Sequence, residues 1–210
     1  TTIEAKLERG VSDVILGNIF MTGGLMMSQV SQLTGLEPYI IQNWVKRGYL
    51  SSPVNKLYSR RQFCRILTIN MLKESLQLET ISKLLSYING VLSDESDDII
   101  DDSKLYDMYI DVLAELGGRV DDASLEKAIS GVLVDYVEPY VGAKKRLSKV
   151  LKTMFLANKA VELKKQAELY TPNAKITEPI CDRSVIKNLQ AEGVSIFDDF
   201  KMTSKFHQKS

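Results

Sequence analysis

The sequence is short of the residues on which most site chemistry depends. It holds one histidine, His207, and two cysteines, Cys64 and Cys181, in 210 residues. A disulfide framework or a four-thiolate zinc site therefore has no material. The same scarcity argues against a catalytic triad, a histidine metal cluster or a histidine acid/base pair, so neither a metal nor a cofactor is expected and the chain reads as no enzyme. Net charge is absent too: 27 basic residues stand against 27 acidic ones, which excludes a uniformly basic coat protein and a polyacidic chain. No apolar run exceeds four or five residues, too few for a transmembrane helix. No charged, apolar, small-residue leader opens the chain at Thr1. The expectation is a cytoplasmic protein without membrane contact.

What is present is ordinary in bulk and uneven in arrangement. Hydrophobic residues make up 44% and charged residues 26%, the composition of a globular protein. At about 150 residues per domain the length suits one or two domains. Residues 1–24 carry a net −1, residues 25–92 a net +5, residues 93–139 a net −11, residues 140–170 a net +6 and residues 171–210 a net +1. Blocks of one sign raise local potentials and select partners. The acidic block could pair with the basic 140–170 segment, within one chain or across a dimer, or it could repel DNA so that only the basic head approaches.

Helical periodicity dominates, which predicts an all-α fold. Ser59-x-x-Gln62 reads as a capping box, opening a helix with Phe63, Ile66, Leu67 and Met71 on one face. Further helices are expected over Glu79–Ile88, Leu105–Leu116, Leu125–Val137 and Tyr140–Tyr170, with stops at Gly90, Gly117 and Pro139. The best strand signal is the short stretch Lys56-Leu57-Tyr58. Periodicity fades after Thr171. The expected organisation is a helical arm over 1–24, a head over 25–92, a helical bundle with one long helix over 93–170, and a tail over 171–210.

The head holds the sharpest motif. Ser28 can cap a short helix, Gly35 can make a turn, and Pro38 can open a second helix from its first turn. In that second helix Ile40, Ile41 and Trp44 share one face, leaving Tyr39, Gln42, Asn43, Lys46 and Arg47 on the other. Two short helices about a glycine turn form a helix-turn-helix. A helix fits the major groove of B-DNA, where Gln or Asn can bond to adenine, while Lys and Arg hold phosphates and fix the register. The following segment can fold back as a small wing, bringing Lys56, Tyr58, Arg60 and Arg61 to the backbone. Cationic residues at a helix start, as at Arg60, Arg61 and Arg65, oppose the helix dipole and point to an anionic partner.

Thr34-Gly35-Leu36, Gly48-Tyr49-Leu50 with Pro53, Lys56-Leu57-Tyr58-Ser59 and Leu78-Glu79-Thr80-Ile81-Ser82-Lys83-Leu84-Leu85 occur in the order found in MerR-type winged helix-turn-helix heads. Residues 25–92 resemble that head, and more narrowly an uncharacterised bacterial family of MerR-like regulators, catalogued as a domain of unknown function. The usual Leu-Arg-Tyr-Tyr-Glu of the recognition helix is here Ile41-Gln42-Asn43-Trp44-Val45, so two amides stand where that family grips phosphate. The resemblance implies a bacterial transcription regulator that binds double-stranded DNA in a sequence-specific way, as a homodimer pairing through a long helix. The long-helix stripe Leu147, Val150, Leu151, Met154, Phe155 and Val161 is the expected dimerisation surface, the alternative being a core helix within one chain. A small effector could sit among Tyr106, Tyr109, Tyr136 and Phe155, although such spacing more often marks core.

The helix-turn-helix scaffold could serve as a protein-interaction adaptor, its basic face docking an acidic partner. The carboxylates Asp94, Glu95, Asp97, Asp98, Asp101 and Asp102 lack the spacing, the glycine and the closing Glu of a calcium loop, and read as an acidic linker or helix start. Cys64 reads as a buried small residue, and Cys181 and His207 as tail residues.

Overall fold

A computed structural model describes residues 6–90, 92 and 98–170. Asp94, Glu95, Asp97, Cys181, His207 and the tail from residue 171 lie outside the described residues. The chain divides into a unit Thr1–Ala167 and a unit Glu168–Ser210; of the second, only the end of one helix is described.

Eight helices and one two-stranded sheet make up the described residues. Helix α1 (Val11–Phe20) starts behind Gly10, whose φ of 80° is left-handed. It is held to a later helix by two polar contacts: the Gly10 N–H donates to Asp111 Oδ1 at 2.7 Å, and Ser12 Oγ donates to Asp107 Oδ1 at 2.7 Å. Strand β1 (Leu25–Met26) leads directly into α2 (Met27–Thr34). Helix α3 (Pro38–Lys46) follows a three-residue turn. Strand β2 (Leu57–Tyr58) pairs antiparallel with β1, Leu25 opposite Tyr58 and Met26 opposite Leu57. The strand expected around Tyr58 thus finds its partner upstream, and its own hairpin is limited to one bridge between Val54 and Leu57.

The capping box read from the sequence opens α4 (Arg60–Leu72). Ser59 Oγ accepts from the Gln62 N–H at 3.2 Å, and Gln62 Oε1 accepts from the Ser59 N–H at 2.9 Å. Such a cap contributes about 0.5–2 kcal/mol. The Gln62 amide then reaches back to the carbonyls of Ser51 and Ser52, fixing the segment that precedes β2. Helix α5 (Leu78–Asn89) ends at Gly90. Helix α6 (Asp102–Leu116) begins three residues earlier than its apolar periodicity implies, because Asp101 caps it by accepting from the Ser103 N–H at 2.7 Å.

Helix α7 (Asp122–Val132) stops short of the expected Val137. Residues 133–136 instead make tight turns, and Tyr136 Oη donates to the Ile99 carbonyl at 2.6 Å, which a continued helix would not position. Helix α8 (Ala143–Tyr170) has 28 residues, about 42 Å at 1.5 Å per residue. No helix among the described residues is long and apolar enough to cross a membrane.

The core runs through the whole first unit, from Val30, Ile41 and Trp44 through Ile66, Ile69 and Leu85 to Tyr109, Leu125 and Leu151. Leu147, Val150, Leu151, Met154, Phe155 and Val161, expected as a dimerisation stripe, are buried within the chain itself. A side chain already covered has no apolar area left for a second copy, so these six serve the core, each contributing roughly 1.5–3 kcal/mol. Tyr109 and Phe155 are buried as well, with Tyr106 and Tyr136 half-buried against the same core. Tyr106 borders one cavity, beside α1, and Phe155 a different one, beside Leu116.

Candidate functional site

The turn between α2 and α3 is built from small polar residues that satisfy one another. Ser31 Oγ donates to the Leu36 carbonyl at 2.6 Å, Thr34 Oγ1 donates to the Val30 carbonyl at 2.7 Å, and Thr34 Oγ1 accepts from the Leu36 N–H at 3.2 Å. Gly35 sits between them at φ 69°, its N–H on the Ser31 carbonyl. Side chains rarely adopt that backbone, which is why glycine closes α2. Ser28 does not cap α2. Met26 holds the cap position, and its N–H donates to Gln29 Oε1 at 2.8 Å, leaving Ser28 exposed in the first turn.

Helix α3 is fixed by its buried face. Ile41 and Trp44 are enclosed and Ile40 is half-buried, so the helix cannot roll. Its opposite side presents Tyr39, Gln42, Asn43 and Lys46 to solvent, Tyr39 with 68% of its surface exposed. Arg47 is exposed but engaged: its guanidinium meets Glu79 Oε1 of α5 at 2.5 Å and lies 4.9 Å from the centre of the Tyr49 ring. Tyr49 Oη donates to the same Glu79 oxygen at 2.8 Å. That bond holds the Tyr49 phenol above its ordinary range, while Glu79 is held below its own by its backbone N–H and by the Tyr49 hydroxyl.

Beside α3, Val54 to Leu57 form a tight turn closed by reciprocal backbone bonds of 3.1 and 2.9 Å. Its central residues Asn55 and Lys56 have φ of 51° and 65°, the signature of a type I′ turn. Asn tolerates this backbone; Lys does so at a cost, and the Lys56 side chain is held exposed at the tip. Between turn and helix lies a groove of about 440 Å³ with Met27, Val45 and Pro53 along it and Lys46 and Lys56 at its sides. Sequence reasoning missed the groove, because its residues come from three elements and share no spacing. Gly24 makes the approach of β1 and β2 possible: a Cβ there would lie 2.8 Å from Leu57 Cβ and 2.9 Å from the Tyr58 carbonyl oxygen.

Three residues expected at a phosphate backbone are placed elsewhere. Tyr58 is buried, its phenol pushed up by that burial, because the β1–β2 pairing turns its ring inward. Arg60 Nη2 binds Asp13 Oδ1 at 2.7 Å and Asp107 Oδ2 at 2.8 Å. Arg61 is held by Asp98, with Asp102 at 3.4 Å and Asp101 at 3.6 Å. One turn further along α4, buried Arg65 donates to the Tyr49 carbonyl at 2.8 Å and to Asp102 Oδ1 at 3.1 Å. The anionic partner of these cations is the chain's own acidic block. Pairing of that block with the basic α8, one of its two possible roles, is found at Lys152 and Glu126, 2.7 Å apart, but its densest pairing is with α4.

The ionisation of the seam follows its burial. Asp102 and Asp107 are raised, chiefly by desolvation against the opposing pull of the arginines. Exposed Asp13 is lowered, first by its bond from Arg60. Cys64, fully enclosed in α4, has its thiol pushed up to about 12 by burial, which leaves it an inert apolar residue. Among the described residues no group of three or more His, Cys, Asp or Glu is placed to hold a metal ion.

The exposed face of α3, the Lys56 turn and the arginine seam apart from Asp13 fall within residues 19–109, which match a family model described as Domain of unknown function (DUF1836). No curated protein matches the chain, and no solved structure matches it. Over that span, a little under half of its length, the chain is similar to a family to which no activity is attached.

Proposed function

We propose that residues 25–92 act as a winged helix-turn-helix that binds double-stranded DNA with sequence preference, in a MerR-like bacterial transcription regulator working in the cytoplasm. The observation that carries the reading is the open side of α3, where Tyr39, Gln42, Asn43 and Lys46 are exposed together behind a locked glycine turn. In the major groove Gln42 and Asn43 would meet base edges, with Tyr39 at the groove entry and Ser28 near the backbone. Lys46 and Lys56 would take phosphates. Arg47 would join them by exchanging Glu79 for a phosphate.

Two copies would read two half-sites. The surface for pairing is then the outer side of α8, where Leu156 and Leu163 stand exposed seven residues apart, in place of the enclosed stripe. Sedimentation giving a monomer at micromolar concentration would remove the dimer.

The apolar groove beside Lys46 and Lys56 favours a second reading, an adaptor docking an acidic partner with apolar side chains. Selection of bound fragments from a random duplex pool separates the two. A regulator enriches one sequence and loses affinity steeply with salt; recovery of unenriched fragments would overturn the DNA reading in favour of the adaptor.

A further inference from the structure

Arg146, in the first turns of α8, is held unlike any arginine of the seam. Its guanidinium carbon lies 5.1 Å from the ring centre of Tyr87 on α5 and 5.8 Å from that of Tyr140, and its Nη1 donates to Tyr140 Oη at 3.2 Å. Arg47, Arg60, Arg61 and Arg65 each meet a carboxylate, whereas Arg146 makes no ion pair with a described residue. A guanidinium carries five N–H donors in a fixed fork, so most of this one's capacity is uncommitted while its plane is positioned by two aromatic rings.

The fork borders a cavity of about 300 Å³ whose lining also includes Ser86, Ile88, Gly90 and Pro139. That volume lies at the small end of the range for small-molecule sites. Both tyrosines are more than two-fifths exposed, so the rings that position Arg146 can also touch whatever enters. We propose that this cavity is a binding site for a small organic monocarboxylate with a flat apolar body. The carboxylate takes the two parallel N–H groups of Arg146, the geometry in which a guanidinium discriminates best. The body lies against Tyr87, Tyr140 and Pro139.

Charge selects a monoanion. Among the lining residues Arg146 is the one cation, and Asp98, held by Arg61, stands on the same lining. A phosphate dianion would bring two negative charges to one positive group beside a carboxylate. The two tyrosine rings and Pro139 on the lining offer flat faces to a carbon skeleton, which a compact hydrated ion would not use.

The test titrates the full chain with benzoate, benzamide and inorganic phosphate, following tyrosine fluorescence and amide NMR shifts at Tyr87, Tyr140 and Arg146. Benzoate should saturate these signals, with benzamide at least about tenfold weaker because it offers no charge to the fork. Arg146→Gln should abolish the response. Arg146→Lys, which keeps the charge and loses the fork, should weaken benzoate about tenfold. Since Arg146 is exposed, both variants should keep the parent's unfolding midpoint. Equal binding of benzamide, full binding by Arg146→Gln, or tighter binding of phosphate than benzoate would each overturn the proposal. So would benzoate binding seen only after Asp94→Asn, Glu95→Gln and Asp97→Asn are combined, because the fork would then belong to the chain's own carboxylates.

Discussion

Arg65 and Asp102 form a buried ion pair, Nη1 to Oδ1 at 3.1 Å, that joins the middle of α4 to the first residue of α6. Each partner has other bonds: Arg65 Nε to the Tyr49 carbonyl, and Asp102 from Arg61 and, at 3.4 Å, from Asn89 Nδ2. Their charges are thus matched within a shared network, which a lone buried pair seldom achieves.

Replacing Arg65 by Met should cost roughly 3–5 kcal/mol at neutral pH, because Asp102 is left buried without its main cation. The loss should depend on pH in a definite direction. Burial already raises the Asp102 carboxyl above its ordinary 3.8, so its contribution to stability is complete below that value and declines as pH rises through the folded one. Without Arg65 the folded value climbs further. Urea unfolding at several pH values should show the deficit against the parent widest near pH 7 and narrowing on acidification; a deficit constant with pH would refute this account.

Gly35→Ala tests the turn. A Cβ at Gly35 meets nothing within 4 Å, so the cost is conformational alone, about 1 kcal/mol for a left-handed alanine. DNA binding should fall no further than that loss of folded population explains. A much larger drop in affinity for a protein that is still folded would show that the turn itself meets the ligand.

Lys46→Ala and Lys56→Gly should each lower affinity for all duplex sequences and reduce the salt slope by about one unit. They should part company on stability. Lys46→Ala is near neutral, whereas Lys56→Gly relieves a left-handed lysine and should gain roughly 0.5–1 kcal/mol. Weaker binding by a more stable protein would isolate the charge at the turn from the fold that carries it.

Glu79→Gln should have the opposite effect on binding. It removes the carboxylate that holds Arg47, and the freed guanidinium should raise affinity for non-specific duplex a few-fold with a steeper salt slope. Unchanged binding in a filter assay at low salt would place Arg47 outside the interface.

The sequence was most informative where structure is local. The reciprocal Ser59–Gln62 cap, the glycine at Gly35 and the buried pair Ile41 and Trp44 all depend on neighbours within a few residues, and each is found as read. Periodicity revealed that one side of α8 is apolar but not what covers it, since a core helix and a dimer helix present the same stripe. The end of α7 is not legible because Leu133 and Tyr136 continue the helical spacing past Val132 while the chain turns to let Tyr136 reach Ile99.

Charge was the least legible property. Arg60 and Asp107 are 47 residues apart, and Arg65 and Asp102 are 37 apart. A basic block near an acidic block in sequence does not reveal which side chains meet. The cations of α4 looked available to an outside anion only because their partners lay on helices not yet placed. Lys56, expected at a phosphate backbone, stands exposed at its turn, and its left-handed backbone has no counterpart in the sequence, since lysine gives no sign of it.

The seam also sets where the chain can be divided. A fragment ending at residue 92, where composition suggests a boundary, would strip Arg60, Arg61 and Arg65 of Asp98, Asp101, Asp102 and Asp107 at once. It would also uncover the side of α4 that α6 packs against. A piece that keeps the seam must extend through α6, which packs on α4 as well as on α7.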